Sequence, residues 1–309
     1  VGLNLILTER CDKFCSFCFE PTTLKKRGGE MSLEMIEKIT TKFPLVKYSM
    51  LGGEPTQHSQ FSEILNFFSR KKLEAVLITN LLFNKEILNT IISHLDIFWN
   101  MSILANAMEL DTSNRLDVWK YNYITLEENN YSCCLAITIT KNNINSIVEY
   151  IKNLYNEVQF KYLRLGIDLC GNAEWIVNNK SIGKVFEYMD QYGQYQGFHF
   201  VSDCQVPPCI NNEGIKSWHG SNTLPCDVFP PADVFPDGAI SYCYPLKEDV
   251  KLNSIFNYNS VGDIMRELIY RYVDLHRKTK LPTECYKCEY YESNICQGVC
   301  LGTRSNIIK

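Results

Sequence analysis

The stretch LNLILTERCDKFCSFC, residues 3–18, decides the fold. It opens as an aliphatic run of strand character and empties directly into a loop that carries Cys11, Cys15 and Cys18. Working outward, the same alternation of short apolar runs with amphipathic stretches of helical period continues to about residue 200. Strands are predicted at 3–8, 46–51, 74–79, 96–103, 134–140 and 159–168, and helices at 32–43, 59–71, 84–93, 113–130, 142–154 and 181–195. Each strand is followed by a helix, which is the rhythm of βα units on a parallel sheet. Six such units are too few for the closed eight-stranded barrel and suit either an open partial barrel or a doubly wound sheet. Periodicity alone leaves both open. In either architecture the loops at the C-terminal ends of the strands hold the active site, and the three cysteines lie on one of them.

After residue 200 the rhythm breaks. Pro207, Pro208, Pro225, Pro230, Pro231 and Pro236 exclude long helices there, so a second domain is expected over 201–309, after a first over 1–200. Within it, 232–244 reads as a hairpin with Asp237 and Gly238 at the turn, and 261–277 as a helix before a loop-rich tail with four cysteines. The 309 residues, 45% hydrophobic and 21% charged, are ample for a real core but contain no apolar run long enough to cross a bilayer. No membrane partner is expected. No secretory signal opens the chain, so a cytoplasmic location is expected. The balance of 31 Lys and Arg against 35 Asp and Glu gives no footprint for a polyanion, and nucleic acid is not an expected partner.

Fourteen cysteines stand against five histidines. In a reducing compartment that excess argues for thiolate or metal chemistry over a disulfide framework. The cysteines form two fields, Cys11, Cys15 and Cys18 at the start and Cys204, Cys209, Cys226, Cys243, Cys285, Cys288, Cys296 and Cys300 after residue 200. Cys133, Cys134 and Cys170 between them read as packed thiols. Three thiolates in one short loop can hold three irons of a 4Fe–4S cluster and leave the fourth iron open for chemistry. Zinc would call for a fourth Cys or His close by, and the nearest histidine is His58.

CxxxCxxC after the first strand, with the aromatic Phe17 just before the third cysteine, resembles the radical S-adenosylmethionine (SAM) enzymes. Gly52, Gly53, Glu54 and Pro55 after the second strand are similar to the GGEP segment that, in that family, holds the amino group of SAM. Thr79 and Asn80 end the third strand where relatives have a TNG segment, with Leu81 in place of the glycine. The resemblance implies that Asn80, Ser102, Thr138 and Arg164 also reach SAM. The second field looks like the SPASM extension of the same enzymes. Cys226 is followed by Gly238xxxxCys243, Cys285xxCys288 and Cys296xxxCys300, and Val261-Gly-Asp-Ile264 opens the connecting helix. By the family's interleaved ligation, Cys226, Cys243 and Cys300 would share one auxiliary 4Fe–4S cluster with Cys209 or Cys204, and Cys285, Cys288 and Cys296 would hold another. This sequence departs from the pattern: seven residues separate Cys288 from Cys296 where the family has five, and no cysteine follows Cys300. One or two auxiliary clusters are therefore expected, the shortened "twitch" form having one. A zinc ribbon is the alternative for the CxxC pairs.

The resemblance implies an α/β fold, a partial (β/α)6 barrel with a small, loop-rich, cysteine-rich C-terminal domain. It implies an enzyme that reductively cleaves SAM and abstracts a hydrogen from a peptide, leaving a thioether or carbon–carbon crosslink in a ribosomally made precursor. Auxiliary clusters would accept the electron left on the oxidised substrate or bind the substrate itself. The alternatives are a twitch-type dehydrogenase or rearrangement enzyme on a small molecule, a formylglycine-forming sulfatase-maturing enzyme, or a metal-stapled binding or electron-transfer module. Tyr244 stands where the sulfatase-maturing relatives have an Asp base, which counts against that chemistry. Expected partners are a peptide or protein substrate and a reducing electron donor. Because the chain begins two residues before its first strand, a leader peptide is expected to need a separate recognition protein or direct binding to the barrel. Tyr242, Tyr244, Asp233 and Asp237 lie near the expected auxiliary-cluster hairpin and could face substrate, but they read rather as solvent-exposed hairpin residues, so no catalytic acid or base is assigned.

Overall fold

The structure is a computed structural model. It describes the chain except residues 1, 14, 19–28, 45–46, 99–102, 108–112, 169–172, 204–205, 211–230 and 305–309, and the side chains of 113–114. In chain order its elements are β1 (Gly2–Thr8), α1 (Leu33–Lys42), β2 (Lys47–Gly52), α2 (Phe61–Lys71), β3 (Ala75–Thr79), α3 (Lys85–Ile92), β4 (Ile103–Asn106) and α4 (Ser113–Glu128). There follow β5 (Cys133–Ile139), α5 (Ile147–Val158), β6 (Tyr162–Ile167), α6 (Ala173–Asn178), α7 (Lys180–Gln196) and β7 (His199–Ser202). The last part holds β8 (Ala232–Val234), β9 (Ile240–Ser241), β10 (Lys251–Leu252), α8 (Val261–Lys278), α9 (Glu289–Glu292) and α10 (Leu301–Arg304). The fold is α/β, with the six successive βα units of a partial (β/α)6 barrel. Among the described residues no helix is long and apolar enough to cross a membrane.

The chain forms two compact units, each discontinuous in sequence: Val1–Cys134 with Pro230–Val273, and Leu135–Phe229 with Asp274–Lys309. In the first, the strand order is β10-β9-β8-β1-β2-β3-β4, parallel from β8 to β4 in every pair that can be read. The register lines up Val234, Leu5, Met50, Leu77 and Ile103 in one row. All five are fully buried, and such a row excludes water from one whole face of the sheet. Helix α1 starts where Ser32 accepts from Met35 N, and α3 where Asn84 accepts from Ile87 N. The 232–244 hairpin forms as β8 and β9, with Ala239 N donating to the Asp237 carboxylate and Gly238 at φ +82°.

The second unit runs β5-β6-β7, with β6 and β7 parallel in the register Leu163↔Phe200. β7 is a strand that the sequence rhythm does not predict. Its neighbourhood is closed by edge-to-face and tilted contacts among Tyr155, Phe160, Tyr192 and Phe198. The helix expected at 142–154 begins only at Ile147 and runs on to Val158. Asn143 accepts from Thr140 N and donates to Thr138 O, while Thr140 Oγ1 accepts from the N–H groups of Asn142 and Asn143. These local bonds offer the backbone an alternative to the helix. The strand expected at 96–103 appears as β4 at 103–106; 93–97 is turn, with Ile97 and Phe98 buried.

Gly52 is where this fold is least tolerant. Its φ is +146°, and a Cβ there would stand 2.2 Å from Thr8 O, at the register shift between β1 and β2. The strands cannot part to admit it without breaking the pairing. Gly52→Ala is therefore expected to destabilise the protein by on the order of 4 kcal/mol or more, read as loss of soluble protein or a large fall in the urea midpoint.

Candidate functional site

The cysteine loop leaves the C-terminal end of β1 and is tied down before its first thiol. Gly29 N donates to Glu9, and Arg10 pairs with Glu30 at 3.3 Å. Glu30 in turn accepts from Ser59 N and Ser59 Oγ. Inside the loop Lys13 N donates to Cys11 Sγ at 3.4 Å and Cys18 N to Cys15 O at 3.1 Å. Cys11, Cys15, Phe17 and Cys18 are all half-buried. Burial pushes the Cys11 thiol up to about 12, and the negative groups Glu54, Asp12 and Cys15 push the same way.

A thiolate in that setting calls for a positive partner, which bound iron supplies. Among the described residues no three His, Cys, Asp or Glu side chains converge as ligands of a single ion would. His58 is also spoken for: Gln60 N donates to its Nδ1, so its Nε2 carries the proton and faces Met31 O at 3.0 Å. The loop thus fits a 4Fe–4S cluster better than a zinc site completed by His58.

The GGEP segment is sewn to this loop by its backbone. Gly53 N donates to Thr8 O and Glu54 N to Arg10 O, each at 2.7 Å. Pro55 opens a short 3-10 turn over Pro55–Gln57. Glu54 is 2% exposed, and both of its carboxylate oxygens are taken up within the protein. Oε1 accepts from Thr79 Oγ1 at 2.7 Å, Thr56 Oγ1 at 2.8 Å and Thr56 N at 3.3 Å; Oε2 accepts from Asn80 N at 2.7 Å. The carboxylate is therefore a clamp that joins the end of β2 to the end of β3. Asn80 extends the clamp, its Nδ2 donating to Asp12 Oδ1 at 2.9 Å between Cys11 and Cys15. Arg115 adds a bond to Asp12 O. Leu81, fully buried, takes the left-handed φ of +55° that a glycine would adopt. Asn122 Nδ2 holds it there by donating to Leu81 O at 2.8 Å and Phe83 O at 2.9 Å.

In the second unit, Thr138 on β5 and Arg164 on β6 are half-buried. Arg164 pairs with Asp203 at the end of β7. A Cβ on Gly166 would lie 3.3 Å from Asp203 Oδ2 and 3.8 Å from Thr138 Oγ1, so these three side chains and one bare backbone share a single patch. The same unit contains Cys209, Cys285, Cys288, Cys296 and Cys300; burial raises the pKa of Cys285, Cys296 and Cys300, while the Arg304 guanidinium, itself buried, lowers it. Cys243 lies in the first unit, where Ser241 Oγ donates to its carbonyl. Ser102, Cys204 and Cys226 lie outside the described residues, as does Cys170. Cys133 and Cys134 are fully buried on β5.

The sequence reading missed Asp12, Asn122, Asp203 and Arg304, which sit beside its motifs without belonging to any. It also placed two of the four hairpin residues wrongly. Asp237 is exposed and Tyr244 half-buried, but Asp233 and Tyr242 are buried, because β8 pairs with β1 and becomes an interior strand of the unit. Asp233 accepts from Asn4 Nδ2 at 2.7 Å and from the Tyr244 N–H, while burial pushes it up to about 7. Between pH 3.8 and about 7 the native protein keeps a proton that the unfolded chain gives up, so stability falls as pH rises through that window. Asp233→Asn keeps the acceptor and cannot ionise. It is expected to remove this slope and to raise stability at pH 8 by about 2–4 kcal/mol, with little change at pH 4, in urea unfolding at the two pH values.

Residues 5–121 match the family model of the Radical SAM superfamily. No curated protein matches the chain in sequence. Among solved structures, the chain has the fold of SuiB from Streptococcus suis bound to S-adenosylmethionine, with TM-score 0.70 and 16% identity over 99% of this chain and 73% of that one. SuiB bound to its precursor peptide SuiA gives TM-score 0.69 and 16% identity over 99% and 72%. Native anSMEcpe with bound AdoMet gives 0.66 and 17% over 97% and 89%.

Proposed function

We propose that the protein is a radical SAM enzyme that cleaves SAM reductively and abstracts a hydrogen from a peptide, installing a thioether or carbon–carbon crosslink in a ribosomally made precursor. The observation that carries this reading is the three-thiol loop at the end of β1, sewn to GGEP through Thr8 and Arg10 and to β3 through Asn80 and Asp12. The superfamily match over this region and the fold shared with a SAM-bound and a precursor-bound SuiB support it.

Cys11, Cys15 and Cys18 would hold three irons of a 4Fe–4S cluster. When bound, that cluster supplies the electron that breaks a carbon–sulfur bond of SAM and releases a 5′-deoxyadenosyl radical. Gly52 and Gly53 let the backbone approach the amino group of SAM, with Pro55 fixing the turn behind them, and Glu54 orients this segment. Phe17, Asn80, Ser102, Thr138 and Arg164 are the further SAM contacts. Arg164, with five donors, can meet a SAM carboxylate while keeping Asp203. In this scheme residues 1–200 are the SAM domain and 201–309 the auxiliary-cluster domain, with Cys204, Cys209, Cys226, Cys243, Cys285, Cys288, Cys296 and Cys300 as its ligands. An electron donor completes the system, in the cytoplasm.

The test is deuterium transfer. Short peptides encoded beside the gene, deuterated at candidate positions, are incubated anaerobically with the reconstituted protein, SAM and reductant. Deuterium in 5′-deoxyadenosine together with a mass loss in the peptide is the expected result. Transfer from a deuterated alcohol or sugar but from no peptide would replace this reading with the small-molecule one.

A further inference from the structure

We propose that Asp12 takes the ammonium group of SAM and supplies the counter-charge that the buried Glu54 cannot, a role that rests on the SAM-cleaving function proposed above.

Asn80 ties two carboxylates together. Its backbone N–H donates to Glu54 Oε2 at 2.7 Å, and its Nδ2 donates to Asp12 Oδ1 at 2.9 Å. The two acids are used differently. Glu54 is 2% exposed and also accepts from Thr56 N, Thr56 Oγ1 and Thr79 Oγ1. A carboxylate sealed from solvent and already accepting four hydrogen bonds is spent on holding the strand ends together.

Asp12 is half-buried, between Cys11 and Cys15, and one of its oxygens is still open. The Asn80 amide that holds the other oxygen cannot turn over: the residue is buried, and its Oδ1 accepts from Leu82 N at 2.8 Å, which commits Nδ2 to Asp12. Oδ1 is thereby anchored to the buried clamp, while Oδ2 accepts from no group among the described residues. Arg115 reaches Asp12 only through its carbonyl, at 3.1 Å, and among the described residues no Lys, Arg or His forms an ion pair with the carboxylate.

The backbone around Asp12 is fixed on both sides. Arg10 N donates to Thr8 Oγ1 at 3.1 Å and Arg10 O accepts from Glu54 N at 2.7 Å, while Lys13 N donates to Cys11 Sγ at 3.4 Å. A charged oxygen held this way is pre-organised, because the ordering that a ligand would otherwise have to impose is already in place. SAM carries positive charge on its sulfonium and its ammonium, and only the ammonium has N–H groups to donate. A charge-assisted N–H bond to a carboxylate is roughly twice as strong as a neutral one.

The experiment is calorimetric titration of the reconstituted wild type and Asp12→Asn, with iron measured on the same samples. Three ligands are compared: SAM; S-adenosylhomocysteine, which keeps the ammonium and lacks the sulfonium charge; and methylthioadenosine, which lacks the ammonium. The amide oxygen of Asp12→Asn still serves Asn80. This variant is expected to keep wild-type iron, to bind SAM and S-adenosylhomocysteine about tenfold or more weakly, and to bind methylthioadenosine as the wild type does. Unchanged SAM affinity would overturn the proposal, as would a loss confined to SAM, which points to the sulfonium. An equal loss with methylthioadenosine, or a loss of iron, would make Asp12 a part of the loop's architecture and overturn it too. Asp12→Glu keeps the charge and is expected to bind SAM more tightly than Asp12→Asn; the reverse order would count against the role. Wild-type protein that takes up iron and binds no SAM would remove the SAM-cleaving function itself.

Discussion

Cys15→Ala abolishes 5′-deoxyadenosine formation from SAM and leaves the protein folded: this is the expected result with the largest effect. The prediction separates chemistry from architecture because the loop's backbone bond at Cys15 does not need its thiol. Its side chain is half-buried, and Cys18 N donates to its backbone O, a bond that survives the substitution. A half-buried surface substitution of this kind costs about 0.5 kcal/mol or less, so the unfolding temperature should move by no more than about 2 °C. Two thiolates cannot anchor a cubane, however, and with iron absent the route from reductant to SAM is closed. Product chromatography and circular dichroism on the same sample read both halves. A variant that still cleaves SAM at the wild-type rate would remove the loop from the mechanism.

Replacing Glu54 is expected to have the second largest effect, and here fold and site should fail together. Four donors converge on this carboxylate: the two hydroxyls of Thr56 and Thr79, and the backbone N–H groups of Thr56 and Asn80. Glu54→Ala leaves all four buried and unmet, a cost of about 3–5 kcal/mol. Glu54→Gln is the more instructive change. Its amide oxygen can still serve the three donors on Oε1, but its amide nitrogen then faces Asn80 N–H, donor against donor. A loss of about 1–3 kcal/mol in urea unfolding is expected. Because Asn80 also carries Asp12, the disturbance reaches the cysteine loop, and SAM affinity measured calorimetrically should fall by about tenfold or more, which is about 1.4 kcal/mol. Wild-type SAM affinity in Glu54→Gln would show that the clamp is structural only.

These two residues also show what the sequence discloses and what it hides. The cysteine motif is local, so its position after the apolar run of β1 is legible from residues 3–18 alone. So is the strand–helix rhythm, because apolar runs such as Leu3–Leu7 and the amphipathic stretches that follow them repeat within a few residues. Glu54 is legible as part of a segment but not in its role. Its partners Thr79 and Asn80 lie 25 and 26 residues away, and only the folded strand ends bring them together. Leu81 reads as a departure from a glycine position, yet it keeps the left-handed backbone because Asn122, 41 residues on, bonds its carbonyl. Asp233 is the hardest case. In sequence it reads as an exposed hairpin residue; its burial follows from pairing with Asn4, 229 residues away, which no local pattern encodes. The shift of α5 to Ile147 has the opposite origin, a purely local competition by Asn143 and Thr140 that helical periodicity alone overlooks.

The central claim is that Cys11, Cys15 and Cys18 hold a cluster with one iron left open for SAM. Electron paramagnetic resonance of the reconstituted, dithionite-reduced protein, recorded before and after SAM is added, tests it most directly. The account predicts a reduced 4Fe–4S signal whose g-values shift on adding SAM, with that SAM-responsive component missing in Cys15→Ala. A cluster signal that SAM leaves unchanged, or stoichiometric zinc with no iron signal, would contradict it.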